Sequence, residues 1–521
     1  MKKFYITTPI YYVNANPHIG HAYTQIAVDA VARYHKMLGD DVFFLTGTDE
    51  HGEKIEEACI AAGFGKGKER EFVDSIVVNF KKAWDVLDIA YDRFIRTTDD
   101  EHKKVVQEFM ACLADNGDIY LGQYDGWFCA PCETFWTDTQ AENGVCPDCG
   151  RATGRIKEEN YFFKMNKYQK WLTDYINDNP GFIMPEYRKN EVLGFLREDL
   201  TDLCISRPRD RMSWGVPLPF DEDYVVYVWF DALINYLTGC NYAGGGKDFS
   251  ECWPANFQVI AKDILRHHAV YWPIMLKSAG LAMPQVVFAH GWWKMGDEKM
   301  SKSKGNIVDP LDLVNKYGVD PIRYFLLRAV KFGQDGVYSE DALVTMYNND
   351  LANDMGNLLN RTLTMVDKYF DGIAPTAPAR AADNVLAALS GAIEENAKSI
   401  PSDVDMYFKD LRLNMVLERV WQLVGMANKY IEKSAPWKYS KEGNSPAVKT
   451  IIADLLEVLR IVAIFVFPFM PRTSMEMWKQ LGLSDDVSRV SLKKLNTWRG
   501  FPAGTRIAKG EPLFPRISSA L

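Results

Sequence analysis

The chain has 521 residues, 47% hydrophobic and 25% charged, the balance of an ordinary globular protein of about three or four domains. A formal net charge of −9 argues against indiscriminate polyanion binding, so a nucleic-acid partner would have to meet local basic patches on an acidic body. Nine cysteines, four of them in two C-x-x-C pairs, fit a reducing cytoplasm and a metal site better than a disulfide framework, and no apolar signal segment follows Met1-Lys2-Lys3.

A β-rich stretch, Phe4 to Thr8, runs through Tyr11-Tyr12-Val13-Asn14 into Asn16-Pro17, which predicts a helix with Asn16 as N-cap and Pro17 at its first position. His18-Ile19-Gly20-His21 then falls in the first helical turn. His18 and His21 share a face, beside open backbone N–H groups and the positive end of the helix dipole, a setting suited to phosphate oxygens. Gly20 lets a flat nucleotide approach the backbone. Helical patterns at Ala22–Leu38 and Phe72–Leu87 alternate with the strand-like Asp41–Leu45, which predicts βαβ units and a parallel sheet up to about residue 113.

Between about 114 and 225 the pattern breaks into cysteines, aromatics and turns, as an insertion would. Cys129-Ala130-Pro131-Cys132 and Cys146-Pro147-Asp148-Cys149 have the spacing of four thiolates around one tetrahedral Zn²⁺, a saturated and therefore structural site. A pair of redox C-x-x-C sites is the rival reading, disfavoured because neither opens a βαβ helix. Strand patterns return at Tyr224–Trp229, Gln258–Ile260 and Val286–Ala289. The segment Lys294 to Lys304 follows, with Lys299-Met300-Ser301-Lys302-Ser303 inside it and glycine turns at both ends. Four lysines there suit a mobile loop closing over charge on a leaving pyrophosphate.

From about Leu343 amphipathic helices predict a bundle, with helix boundaries at Pro401-Ser402-Asp403 and Ser434-Ala435-Pro436. Asn357 and Arg361 stand at i and i+4, and Trp437 follows a break; an amide, a forked donor and an indole suit splayed single-stranded bases. The run Ile461 to Met470 is too short to cross a bilayer and reads as a buried helix end. Thr505 to Pro515 has too many breakers for a helix and reads as a tail packed back on the body.

In their order and context, His18–His21 and Lys299–Ser303 resemble the two signatures of the class I aminoacyl-tRNA synthetases. Thr8 to Asn14, Phe44 to Gly52, Val226 to Leu233 and Ala435-Pro436-Trp437 narrow the resemblance to the methionyl-tRNA synthetase family over nearly the whole chain. It implies an α/β Rossmann-like catalytic domain with a zinc-knuckle insertion, followed by an all-α anticodon-binding bundle. The expected division is 1–113 and 226–342 for the catalytic halves, 114–225 for the insertion and 343–521 for the bundle and tail.

By the same resemblance, His18, Gly20, His21, Asp263, Lys299 and Lys302 bind ATP, with His18, His21, Lys299 and Lys302 catalytic. Ile10, Tyr12, Trp229, Ala232, Leu233, Tyr236, Ile264 and His268 form the methionine side-chain pocket, Asp49 holds the amino group, and Arg207 organises the pocket as an ion-pair partner. Leu233 departs from the proline of some relatives. Asn357, Arg361 and Trp437 would read a CAU anticodon, and Cys129, Cys132, Cys146 and Cys149 would hold one structural zinc, with Mg²⁺ accompanying ATP. A cytoplasmic monomer that joins methionine to tRNA(Met) is the expectation, with no membrane partner. Isoleucyl, valyl and leucyl relatives carry an editing insertion for which 114–225 has no room, and a cysteinyl enzyme would need its zinc open to substrate.

Overall fold

The computed structural model describes residues 2–129, 134–136, 138, 141–147, 150–242, 247–296, 298–299, 308–378, 383–495 and 498–518. At its centre six strands lie parallel in the order Arg93–Arg96, Asp41–Asp49, Lys3–Tyr12, Phe257–Ala261, Val286–His290 and Ile183–Met184. Lys3–Tyr12 is buried along nearly its whole length, as a central parallel strand covered on both faces must be. Strand order reverses there, with Asp41–Asp49 on one side and Phe257–Ala261 on the other. A crevice therefore opens at the carboxyl ends of these strands.

Helix Ile19–Met37 joins the first two strands and packs against both the sheet and helix Val319–Arg328, so most of its circumference is buried. It starts two residues later than Asn16-Pro17 predicts. His18 is the N-cap, in extended conformation (φ −128°, ψ 174°), its own ring accepting the Gly20 N–H and so taking the capping role expected of Asn16.

Two further expectations are corrected. Tyr224–Trp229 does not rejoin the central sheet: Asp221–Val226 pairs antiparallel with Ser206–Pro208 and Pro217–Leu218. The Tyr227 carbonyl then accepts from Phe230 and Asp231 and starts helix Val228–Leu233. Conversely, Ile183–Met184, inside the stretch read as an insertion, forms the edge of the central sheet. The remainder of that stretch is built on the antiparallel pair Ile119–Cys129 and Gly154–Phe163, flanked by Thr134–Trp136 and Leu203–Cys204.

The helical part includes Asn357–Phe370, Asn384–Lys409, Leu413–Ser434, Ser445–Val466 and Pro471–Gln480. Pro401 is not a helix boundary but lies inside Asn384–Lys409. Arg419 of the next helix compensates there, donating to the Asn396 carbonyl at 2.7 Å, Ser399 Oγ at 2.6 Å and Asp403 at 2.7 Å. The boundary at Ala435 stands, with that residue left-handed (φ 43°) and Pro436 opening a new helix. The tail packs back as expected: Ile507 N–H reaches the Gly372 carbonyl and Ala508 N–H that of Gln480, each at 2.9 Å.

Cys240 and Cys252 are joined by a disulfide, their Cα atoms 5.7 Å apart, where composition predicts none. Helix Lys247–Cys252 carries the second thiol back to Cys240, two residues beyond helix Asn235–Thr238. Among the described residues no helix is long and apolar enough to cross a membrane.

Candidate active site

The first helix begins in a capping box made of imidazoles. His18 Nδ1 accepts the Gly20 N–H at 3.0 Å, and His21 Nδ1 accepts the His18 N–H at 3.2 Å. The rings stack with centroids 3.8 Å apart. Since both Nδ1 atoms accept, a neutral ring at either position carries its proton on Nε2 and presents an N–H donor there.

The expectation of open backbone N–H groups is corrected. Ile19 N–H is bonded to the Val308 carbonyl at 3.1 Å, and those of His21 and Ala22 reach the His18 carbonyl. The donors left facing outward at this helix end are the imidazole Nε2 groups, beside the positive end of the helix dipole. Gly20 has a role the sequence did not suggest: a β-carbon there would stand 2.8 Å from His18 Cε1, so the glycine makes room for the capping ring.

Val308 follows the lysine segment in the chain, and its carbonyl meets Ile19 at the start of the helix. At the segment's start, Glu298–Lys299 pairs antiparallel with Trp293–Met295, Lys299 opposite Lys294. Lys302 lies outside the described residues, and only the backbone of Lys299 is described.

Ile10 and Tyr12 end the first strand, and Asp49, which ends the second, is the direct cross-strand partner of Tyr12. Asp49 is buried; Tyr12 is half-buried under the Lys54 ammonium, 4.4 Å above its ring. Trp229 stacks on His267 at 3.7 Å, and Ala232, Leu233 and Tyr236 are buried beside it in sequence. Tyr236 Oη lies 2.8 Å from His268 Nε2, while His268 Nδ1 lies 2.9 Å from the Ile264 carbonyl. A carbonyl only accepts, so Nδ1 donates and Tyr236 donates to Nε2. A π-helical turn, His267–Tyr271, sets both histidines against these partners.

Asp263 accepts from the Trp292 indole at 3.1 Å. Nearby, Asp335 gathers Lys262 at 2.8 Å, Lys294 at 2.6 Å and the Trp292 N–H at 3.0 Å, tying the base of the lysine hairpin to the strand end before Asp263. Arg207 is buried, donates to the Ser206 carbonyl at 2.7 Å and lies 4.6 Å over the Tyr227 ring, two residues before Trp229.

Burial pushes His268 and His290 down to about 4, so both are neutral at pH 7. It lowers His267 as well, reinforced by His268 and Arg266. On Asp231 burial acts upward, but His51 and His102 overcome it and hold the carboxyl down to about 2. Asp335 likewise resists the upward pull of burial through Lys262 and Lys294, and stays well below the usual carboxylate range.

Cys129 and Cys146 are buried together with Trp136 and Ala141 in a small cluster. Cys146 sits in a tight turn, its N–H on the Arg151 carbonyl and its carbonyl on the Gly150 N–H, both at 2.8 Å. Cys132 and Cys149 lie outside the described residues. In the helical part, Asn357 joins Asn353, Asn360 and the tail residues Phe514 and Arg516 around a cavity of about 340 Å³. Arg361 and Trp437 are not part of that lining; Trp437 is 42% exposed in the first turn of helix Pro436–Lys441.

Two family models match the chain: "tRNA synthetases class I (M)" over residues 4–157 and 152–363, and "Anticodon binding domain of methionyl tRNA ligase" over residues 375–520. The methionine–tRNA ligase of Clostridium acetobutylicum is 46% identical over 520 residues, 99% of this chain and 78% of that protein. The chain belongs to the methionyl-tRNA synthetase family. A second methionyl-tRNA synthetase relative, the methionine–tRNA ligase of Thermotoga maritima, is 43% identical over 99% of this chain and 81% of its own length. The solved Mycobacterium tuberculosis methionyl-tRNA synthetase in complex with methionyl-adenylate superposes with a TM-score of 0.93 at 40% identity, covering 99% of this chain and 100% of that one. Its apo form gives 0.86 at 37% identity, with 99% of each chain covered.

Within this methionyl-tRNA synthetase fold, several residues were missed by the sequence reading. His267 backs Trp229, Trp292 holds Asp263, and His51 and His102 hold Asp231. His51 and Asp231 lie inside the segments Phe44–Gly52 and Val226–Leu233 that carried the resemblance. Their pairing across 180 residues left no local signal.

Proposed function

We propose that the chain activates L-methionine with ATP to methionyl-adenylate and pyrophosphate, then esterifies the terminal adenosine of tRNA(Met). The observation that supports this reading is the Ile19–Val308 hydrogen bond, which sets the residue following the lysine segment at the helix end where His18 and His21 stand. The methionine carboxylate attacks the α-phosphate and pyrophosphate leaves. The substrates supply both reacting groups, so the chain needs no nucleophile and acts by positioning and charge stabilisation. His18 and His21 donate from Nε2 to the triphosphate, Lys299 and Lys302 neutralise the leaving pyrophosphate, and Asp263 binds the ribose. Mg²⁺ bound with ATP supplies the remaining charge neutralisation.

Asp49 and Tyr12, opposite one another at the strand ends, support amino-group binding beside an apolar wall of Ile10, Trp229, Ala232, Leu233 and Ile264. An unbranched thioether suits that wall. Tyr236 and His268 close it as a neutral pair, and Arg207 steadies it through Tyr227. Asn357, Arg361 and Trp437 read the anticodon; the amide-lined cavity beside Asn357 supports a base-binding role for that helix.

Cys129, Cys132, Cys146 and Cys149 hold one structural zinc; the common burial of Cys129 and Cys146 and the turn at Cys146 to Gly150 suit the site. The chain divides at about 113, 225 and 342 into split catalytic halves, an insertion that lends the edge strand Ile183–Met184 to the catalytic sheet, and a bundle, and works as a cytoplasmic monomer. ATP–pyrophosphate exchange with a panel of amino acids tests the reading. Exchange with methionine far above every other amino acid is expected; equal or greater exchange with another would overturn it.

A further inference from the structure

Behind the pocket lies a buried acid–base cluster that the reaction as described does not use. Asp231 Oδ2 is 2.6 Å from His51 Nδ1, and Asp231 Oδ1 is 2.8 Å from His102 Nε2. All three residues are at most 3% exposed, and both Asp231 oxygens are engaged by imidazoles, so Asp231 acts through them. Each partner belongs to a different element. His51 stands two residues beyond Asp49, Asp231 two residues beyond Trp229 and just before Ala232 and Leu233, and His102 on helix Asp100–Asp115. His102 Nδ1 is in turn 3.0 Å from Thr238 Oγ1, two residues past Tyr236.

We propose that Asp231, clamped by His51 and His102, is a positioning residue for methionine: it sets the separation between the strand tip that carries Asp49 and the helix that carries Trp229, Ala232 and Leu233. The inference rests on the methionine-binding reading above. A carboxylate withdrawn from water is held at its place only by well-formed hydrogen bonds, so its two oxygens fix the two imidazoles in direction as well as distance.

His51 belongs to the strand tip that carries Asp49 and Asp231 to the helix that carries Trp229, the two parts whose spacing decides whether an amino acid's charged and apolar ends are satisfied together. The tip is also held from outside. Glu50 takes two bonds from Arg96, at 2.7 and 2.9 Å, and the Gly52 N–H reaches the Trp214 carbonyl at 3.1 Å. With the tip braced on that side, the His51–Asp231 bond links it to the helix bearing Trp229.

The ATP-binding groups His18, His21 and Asp263 are on other elements, so loosening this clamp acts on methionine and spares ATP. In the full chain, His51→Leu removes the donor, whereas His51→Asn keeps an N–H where Nδ1 stands. His102→Leu and His102→Gln form the matching pair for Nε2. Pyrophosphate exchange then gives KM for methionine, KM for ATP and kcat for each, with thermal unfolding alongside.

We expect His51→Leu to raise the methionine KM about tenfold or more with the ATP KM within about twofold, and His51→Asn to return the methionine KM to within about threefold of the parent. An unchanged methionine KM in His51→Leu, an equal rise for methionine and ATP, or no rescue by asparagine would overturn the proposal. If Asp231→Asn does not fold, the His51 pair still decides. Failure of the parent chain to exchange with methionine would count against the functional reading instead, and is seen before any variant is made.

Discussion

His268 and His290 each show how one residue's surroundings decide its chemistry. Each has a carbonyl at Nδ1 and a hydroxyl at Nε2, from Tyr236 and Thr24 respectively, and burial holds each down to about 4. An unfolded histidine binds its proton near pH 6.5, so between about 6.5 and 4 the unfolded chain takes up protons that the native one refuses. Stability is thus fully present above about pH 6.5 and falls as pH drops toward 4. The buried carboxylates Asp320 and Asp454, raised by burial, act in the opposite sense below neutrality, which makes a single acid titration uninformative. The difference between two proteins isolates the histidine. His290→Gln is expected to lose about 2 kcal/mol less stability than the parent between pH 7 and pH 4.5, by urea unfolding at both values. Equal losses would show that His290 is not held neutral.

At the scale of elements, local signals succeeded where one side chain meets its own backbone and failed where a distant group intervenes. Ala435-Pro436 ends one helix and opens the next as read, because a left-handed residue followed by proline permits nothing else. Pro401 carries an equally strong local signal, yet the helix runs through it because Arg419, on the following helix, binds the disturbed turn. The cysteine segment carries a local signal of the same kind, C-x-x-C spacing suited to two thiolates on one ion. Protein purified without chelator should contain about one zinc per chain, and Cys146→Ser should lose most of it while leaving the far helices intact, by metal analysis and circular dichroism. Zinc far below one per chain, unaltered by Cys146→Ser, would remove the metal from the description.

At the scale of the molecule, Arg323 joins the catalytic and helical parts. It is fully buried and binds Asp29 of the first helix at 2.5 Å, the Leu87 carbonyl at 3.0 Å, and the carbonyls of Pro468 and Phe469 at 3.0 and 2.7 Å. The paired carboxylate is held below its usual range although burial acts upward, because Arg33 and Arg323 outweigh it. Removing the guanidinium leaves Asp29 and these carbonyls buried with fewer donors. We expect Arg323→Met to cost about 3–5 kcal/mol and to make the two parts unfold separately in calorimetry. A single transition at the parent temperature would exclude this role.

The sequence by itself determined the family, the parallel sheet and the helical bundle, and it supplied the candidates proposed for ATP, methionine and zinc. Those features rest on short-range rules: hydrophobic period, turn chemistry, and signature peptides whose residues act within a few positions of one another. It could not place the strand Ile183–Met184, turn Val228–Leu233 into a helix, or pair Cys240 with Cys252. Nor could it show that His18 caps its own helix with its ring, that Val308 occupies the Ile19 N–H, or that Asp231 faces two histidines. Each of these is a contact between groups remote in the chain, or a choice between a local partner and a distant one. Only tertiary structure decided them, because hydrogen bonding and burial depend on which groups the folded chain brings within reach.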